Sequence, residues 1–355
     1  MSSNSISAPN STPPLVAISV SFERENLLAR GLGLDHLREL LIRVSRPLLR
    51  AGVSLAYGGH WADTEDNFTY DLLRLVSAEK AVEVERRTAE RPPGGVESAA
   101  ASAQTGRLIN HSAWPYYQKI TPAIEAQWIN VCRIVRVTPS MAGLPALPEA
   151  LPQAGSPEDE ARKQETLLRE AVCLSTMRRF ALDGIELSIP DVAQAETIPP
   201  IAARIVLGGK VAGYRGFAPG IFEEVLLNLE VGRPLFLLGG FGGASEVLAK
   251  ALLSEPSGSM PRELTESWQR ERTPALANLA DVGHTLPLPT GVRDTSALLS
   301  ELQTAIMKAR MDLPAALNCG LDDAEARRLL TTRNMREALK LVQRGLTHLG
   351  VMPAV

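Results

Sequence analysis

Apolar and polar positions follow two rhythms along this chain, and the switches between them predict alternating strands and helices. "LVAISVS", residues 15–21, sets Val16, Ile18 and Val20 against smaller partners and predicts a first strand. "DHLRELLIRVSRPLLRAG" then places Leu37, Leu40, Leu41, Val44 and Leu48 on one helical stripe that ends at Gly52. Pro47 lies inside the stripe and predicts a kink or local break. "VSLAYGG" predicts a second short strand closing at Gly58-Gly59, and a helix follows around "NFTYDLLRLVSAEK". Strand, helix, strand, loop, helix is the order of a parallel sheet with crossover helices.

The pattern continues with interruptions. Residues 91–107 are rich in Pro, Gly, Ser and Ala and predict a mobile loop. "WINVCRIVRVTPS" (128–140) returns as a buried strand, and residues 139–158 form a second excursion too rich in proline for regular structure. From Ser156 a long helix is predicted to about Gly184: Ser156 caps it, Pro157 fits its first turn, acids lead, and Arg178 and Arg179 close it. Residues 204–248 hold two apolar runs, "IVLGG" and "LFLLGG", each stopping at a glycine pair and each followed by a helix. Beyond about residue 255, "DTSALLSELQTAIMKARM", "LDDAEARRLLTT" and "NMREALKLVQRGLTHLG" are helical with no further strand, and no fixed-period repeat suggests a solenoid.

Composition narrows the function classes. The chain has 355 residues and 45% apolar content, enough for a large core. A net charge of −3 with interspersed signs gives no case for nucleic-acid binding, and 5% aromatics leave little for base-stacking platforms. Cys132, Cys173 and Cys319 are distant and odd in number, which argues against a disulfide framework and for a reducing compartment. The start "MSSNSISAPNSTPP" reads as a disordered tail rather than a secretory signal, and no apolar run approaches the length of a membrane span. A soluble cytoplasmic protein is expected. The five histidines show no HxxH or HExxH spacing, so neither a metal nor a cofactor is indicated, and GxSxG and GxxxxGK[ST] motifs are absent.

The candidate chemistry lies where the strands end. Gly58-Gly59, Gly208-Gly209 and Gly239-Gly240 close three predicted strands of one sheet, whose carboxyl ends are where such sheets bind ligands. Glycine there lets a phosphate approach the backbone, or simply makes a tight turn. In "APGIFEEVLLNL", Pro219 and Gly220 precede a helix whose amino terminus suits an anion. Glu223 and Glu224 in its first turn either stabilise the helix dipole or take ribose hydroxyls. Arg178 and Arg179 can cap their own helix or hold a phosphate. Lys210 and Arg215 in the glycine loop suit an anion or are solvated loop charges, and His60 and Trp61 either stack on a base or serve the loop.

These features together resemble the SLOG superfamily: the "ISVS" strand, the "AYGG" strand, the "MRRF" helix, the "VLGG" strand and the "PGIFEE" helix, over roughly residues 15–255. That superfamily includes the LOG phosphoribohydrolases, the DNA-processing protein DprA and nucleotide-sensing domains of bacterial antiphage effectors. The resemblance implies a Rossmann-like α/β fold, a parallel sheet with flanking helices, plus an α-helical C-terminal extension over 256–355 that oligomerises or couples. It implies a ligand site at Ser19, Ser21, Gly58, Gly59, Arg178, Arg179, Gly208, Gly209, Pro219, Gly220, Glu223, Glu224, Gly239 and Gly240. LOG enzymes carry an Arg-Lys dipeptide, where this chain has Arg178-Arg179, and a compact glycine-threonine loop ending in Glu, which "KVAGYRGFA" interrupts here; "GGFGGASE", ending at Glu246, is closer to that loop letter for letter. The likeness is nearest to domains associated with TIR or Sir2 effectors, which implies sensing of an ADP-ribose-like or cyclic nucleotide signal, an effector partner of that type and homo-oligomers. The alternatives are a phosphoribohydrolase using Glu223, Glu224 and Arg178, and, third, DprA-like binding of single-stranded DNA.

Overall fold

The computed structural model describes residues 13–62, 64–65, 67–89, 107–146, 155–187, 195–276, 279 and 287–354. The tail through residue 12, residues 91–106 and residues 147–154 lie outside that range, so the expectations for most of the tail, the first excursion and the middle of the second fall there.

Six parallel strands form the central sheet: β1 (Leu15–Ser21), β2 (Ser54–Tyr57), β3 (Leu108–Ala113), β4 (Cys132–Val137), β7 (Ala203–Gly208) and β8 (Leu235–Leu238). A separate antiparallel pair, β5 (Ile185–Leu187) and β6 (Glu196–Ile198), lies between β4 and β7 in sequence. Spatial order in the sheet is β4-β3-β2-β1-β7-β8. The chain steps outward from β1 to β4, then crosses back through helix α5 (Pro157–Asp183) to lay β7 along the other side of β1. The direction of winding therefore reverses between β1 and β7, and that switch point is where open α/β sheets leave a crevice. The architecture is Rossmann-like.

Alternation along the strands divides the core. Val16, Ile18 and Val20 join Leu37, Leu40 and Leu41 of α2 (Leu34–Arg50). Leu15 and Ala17 instead pack with Ala56, Ile109, Leu182 of α5 and Leu227 of α6 (Gly220–Glu230). Helix α2 continues through Pro47, so of the expected kink or local break the break does not occur. Val44, Leu48 and Leu49 are all buried on either side of the proline, and that packing outweighs its cost of about 3 kcal/mol.

Ser156 caps α5 through Asp159 N, and Pro157 sits in the first turn as expected. Arg178 and Arg179, however, lie more than a turn's core away from the helix end at Asp183 and leave the last turn without a basic residue. The later helices α9 (Thr295–Met311), α10 (Leu313–Leu317), α11 (Asp323–Thr331) and α12 (Met335–His348) follow α7 (Gly243–Leu253) and α8 (Glu266–Arg272). Leu298, Leu302, Ile306, Leu329 and Leu346 from this region share one apolar cluster with Phe236 and Leu237 of β8. No helix among the described residues is long and apolar enough to cross a membrane. The three cysteines are buried free thiols.

Candidate functional site

A cleft of about 370 Å³ opens at the carboxyl ends of β1, β2 and β3, beside the switch point. Its floor is strand-end backbone and small side chains: Ser19 and Ser21 from β1, Gly58 and Gly59 after β2, His111 and Ser112 from β3. Its wall comes from α5, from the loop after β7 and from the start of α6, carrying Met177, Arg178, Lys210, Tyr214, Arg215, Gly220 and Glu224. Three cations therefore face the cleft against a single carboxylate, Glu224, among the described residues.

The structure brings half of the expected site residues to this lining: Ser19, Ser21, Gly58, Gly59, Arg178, Gly220 and Glu224. It sends the others elsewhere. Gly208 and Gly209 take positive φ values of 65° and 103°, and serve close packing of the chain on itself. A Cβ on Gly208 would stand 2.7 Å from Ser21 O, and one on Gly209 2.5 Å from Ile221 Cδ1. Gly239 and Gly240 are covered by the C-terminal region, where a Cβ would overlap the carbonyl oxygens of Leu330 and Thr332 respectively. The rim is thus built on one glycine pair rather than three. The letter-level alternative ending at Glu246 also lies off the cleft lining, and Glu246 pairs with Arg30 and with Lys250 at 3.1 Å. Arg179 is away from the lining, 4.0 Å from Asp183.

The two adjacent glutamates are used differently. Glu223 is buried in an ion pair with Arg178. Glu224 faces the cleft and lies 3.3 Å from Arg204, a fully buried arginine on β7. Arg204 also donates to Ser19 Oγ and Asn228 Oδ1, both at 2.8 Å. Burial lowers the Arg204 guanidinium below its ordinary value, while Glu224 raises it again. Pro219 is the N-cap of α6 and offers no side-chain cap. The Arg178 guanidinium lies across that same helix start, its Nη2 2.8 Å from where a Gly220 Cβ would stand. A cation at the positive pole of a helix needs an anion nearby, and Glu223 supplies it.

The loop between β7 and α6 is anchored at both flanks. Lys210 N donates to Ser21 Oγ at 3.1 Å, Val211 N to Glu23 Oε2 at 3.3 Å, and Gly213 N to Thr273 Oγ1 at 3.2 Å. Lys210 and Arg215 are exposed on it, while Tyr214 is buried against the cleft. Arg215 approaches Glu170 at 3.8 Å, and Glu170 also accepts from Tyr116 Oη. Burial raises the Tyr116 phenol well above its ordinary value, and the bond to Glu170 adds to this.

His111, Ser112, Tyr116, Met177 and Tyr214 are cleft residues that the sequence pattern does not single out. All six residues of β3 are buried, but the polar triplet Asn110-His111-Ser112 interrupts the apolar run that would have marked a strand. Burial, with the Arg204 charge adding to it, lowers the His111 imidazole to about 4, so it is neutral at pH 7. His60 lines the cleft, whereas Trp61 is buried and donates to Asn110 Oδ1 at 2.8 Å. No group of three or more His, Cys, Asp or Glu able to hold a metal ion occurs among the described residues.

The family model described as SLOG cluster2 matches residues 11–189 and 192–329. No curated protein matches the chain.

Proposed function

The chain belongs to the SLOG cluster2 family, which implies nucleotide-related binding or processing, and from that premise we propose that the cleft binds and senses a nucleotide-derived ligand of ADP-ribose or cyclic-nucleotide type. The observation that carries the reading is electrostatic: Lys210 and Arg215 are exposed at a concave site at strand carboxyl ends whose lining carries one carboxylate, with Arg178 beside them held by Glu223 and Arg215 approaching Glu170 at 3.8 Å. A volume of about 370 Å³ lies within the ordinary range for small-molecule sites. Lys210 and Arg215 are the exposed cations and meet phosphate first, and the start of α6 at Gly220 adds its dipole. The signal would pass to a TIR or Sir2-type effector in a bacterial conflict system, with the C-terminal helices as the coupling element.

Sensing is favoured over turnover because two of the three expected catalytic residues, Arg178 and Glu223, engage each other. Arg178 and Glu223 are bound to each other, and Glu223 does not face the cleft. The second reading, a phosphoribohydrolase acting on a nucleoside monophosphate, rests on Glu224 alone. It is the one described carboxylate on the lining and could stabilise an oxocarbenium-like transition state. Thermal shift with ADP-ribose, its cyclic isomers and AMP separates the two. Sensing predicts stabilisation of about 2.7 kcal/mol at a hundredfold excess over Kd, with the nucleotide recovered intact. Turnover predicts free base from AMP that Glu224→Gln abolishes. No shift and no released base across these nucleotides would end both readings.

A further inference from the structure

Three polar atoms on consecutive residues of β3 stand buried without a hydrogen-bond partner: Nδ1 and Nε2 of His111 and Oγ of Ser112. Both residues line the cleft, and their exposures are 0% and 2%. The preceding residue behaves differently. Asn110 is equally buried, yet it accepts from Trp61 Nε1 at 2.8 Å and donates to Tyr57 O at 3.2 Å and Gly59 O at 3.3 Å. Strand alternation turns Asn110 and Ser112 to one face of the sheet and His111 to the other, and near the carboxyl end of β3 both His111 and Ser112 border the cleft. The Asn110 amide is paired within the protein, whereas the polar atoms of the two residues that border the cleft are not.

The neighbouring strand leaves room there. Tyr57 of β2 pairs with Asn110, so Gly58, one residue further on, comes abreast of His111 with no side chain of its own. The end of Met177 comes closest to it, with Cε 3.2 Å from where a Cβ would stand, and His111 O is at 3.9 Å. Methionine is unbranched and adapts its rotamer readily. A strand interior that needed only filling would be met better by an apolar residue, because unpaired buried polar atoms are costly.

We propose that His111 and Ser112 recognise the uncharged, hydroxyl- or amide-bearing part of the nucleotide, with the Met177 side chain swinging aside to admit it; this rests on the nucleotide-binding reading above. A neutral imidazole presents one donor and one acceptor, and the serine hydroxyl can act as either. That set complements ribose hydroxyls or a base edge, whereas phosphate calls for cations and donors. The imidazole stays neutral because burial beside Arg204 opposes its protonation. The ligand is thereby oriented: phosphate against Lys210 and Arg215, sugar or base inward against β3.

The test is calorimetric titration of the full chain with AMP, ADP-ribose and inorganic phosphate. Wild type is expected to bind at least one nucleotide more tightly than phosphate. His111→Leu should weaken nucleotide binding about tenfold or more and leave phosphate binding unchanged, and His111→Gln, which keeps a donor and an acceptor, should restore part of it. Ser112→Ala removes only a hydroxyl and should show the same split more weakly, which keeps the proposal open to refutation if His111→Leu does not fold. Nucleotide affinity unchanged in both His111→Leu and Ser112→Ala, or phosphate affinity falling in parallel, would overturn it. Wild type binding phosphate but neither nucleotide would overturn this assignment and leave the anion site standing. Wild type binding none of the three would remove the functional reading itself.

Discussion

Gly58-Gly59 and Gly239-Gly240 look alike in sequence, each closing a strand of the same parallel sheet, yet the molecule uses them in opposite ways. At the first pair both residues line the cleft, and the closest atom to a Cβ on Gly58 is the flexible end of Met177, while Gly59 is packed against the side chains of Tyr57 and Thr69. At the second, the carbonyls of Leu330 and Thr332 press so closely that any Cβ would overlap them. The difference lies in position and in what arrives later. β2 is interior and next to β1, one strand from the switch point, whereas β8 is the outer strand of the sheet, and the end of α11 lies over its corner. A glycine pair therefore reports a place where backbone comes close to something. Whether that something is a ligand or the protein itself depends on the neighbours.

Substitutions at the two corners should separate these uses. Gly240→Ala is expected to have the largest effect, destabilising the fold by about 3 kcal/mol through overlap with rigid backbone, seen as a lower urea midpoint. Nucleotide affinity of the protein that remains folded should not change. A Gly240→Ala variant as stable as wild type would show that the covered corner can open.

Acidification should act next most strongly, through the cleft floor. The folded pKa of His111 is about 4, below its value of 6.5 in an ordinary setting, so the unfolded chain takes up a proton first as pH falls. Its contribution to stability is complete above about pH 6.5 and is lost as pH falls towards 4, amounting to about 2 kcal/mol between pH 6.5 and 5. Urea unfolding at those two pH values checks this. His111→Gln should remove that share of the pH dependence, and an unchanged dependence would contradict the buried neutral imidazole.

Gly58→Ala is expected to cost less than about 1 kcal/mol, since the added methyl is tight only against the Met177 side chain, which can move, and meets His111 O at an ordinary 3.9 Å. It should still weaken nucleotide binding in titration, because it narrows the space beside His111. Smallest of all in stability is Lys210→Ala, within about 0.5 kcal/mol for an exposed loop residue, although its effect on phosphate binding should be plain.

Much of this fold was legible because glycine pairs and caps punctuate strong apolar runs. "LVAISVS", "VSLAYGG", "IVLGG" and "LFLLGG" all became strands, and Ser156-Pro157 began α5 as their chemistry requires. β3 was not legible, because Asn110, His111 and Ser112 lack the apolar pattern that marks a buried strand, although all three are buried. At the site, Arg178 could be picked out as a cation, but its partner could not. Adjacent helical residues differ by roughly 100° in direction, so whether Glu223 or Glu224 turns to the cleft depends on how α6 sits against α5. The cover over Gly239-Gly240 comes from residues far downstream, a contact that no local pattern carries. Helical tracts after residue 255 were evident, while their packing against Phe236 and Leu237 was not.

The claim on which the rest turns is that the open corner, and not the covered one, holds the anion. Calorimetric titration of ADP-ribose into a Lys210→Ala/Arg215→Ala double variant puts that directly, with Arg333→Ala as the reference, a residue whose backbone N lies 3.1 Å from where a Gly240 Cβ would stand at the covered corner. Affinity is expected to fall about tenfold to a hundredfold in the double variant, on the scale of two charge-assisted contacts, and to stay at the wild-type value in Arg333→Ala. Unchanged affinity in the double variant, or a loss confined to Arg333→Ala, would contradict it.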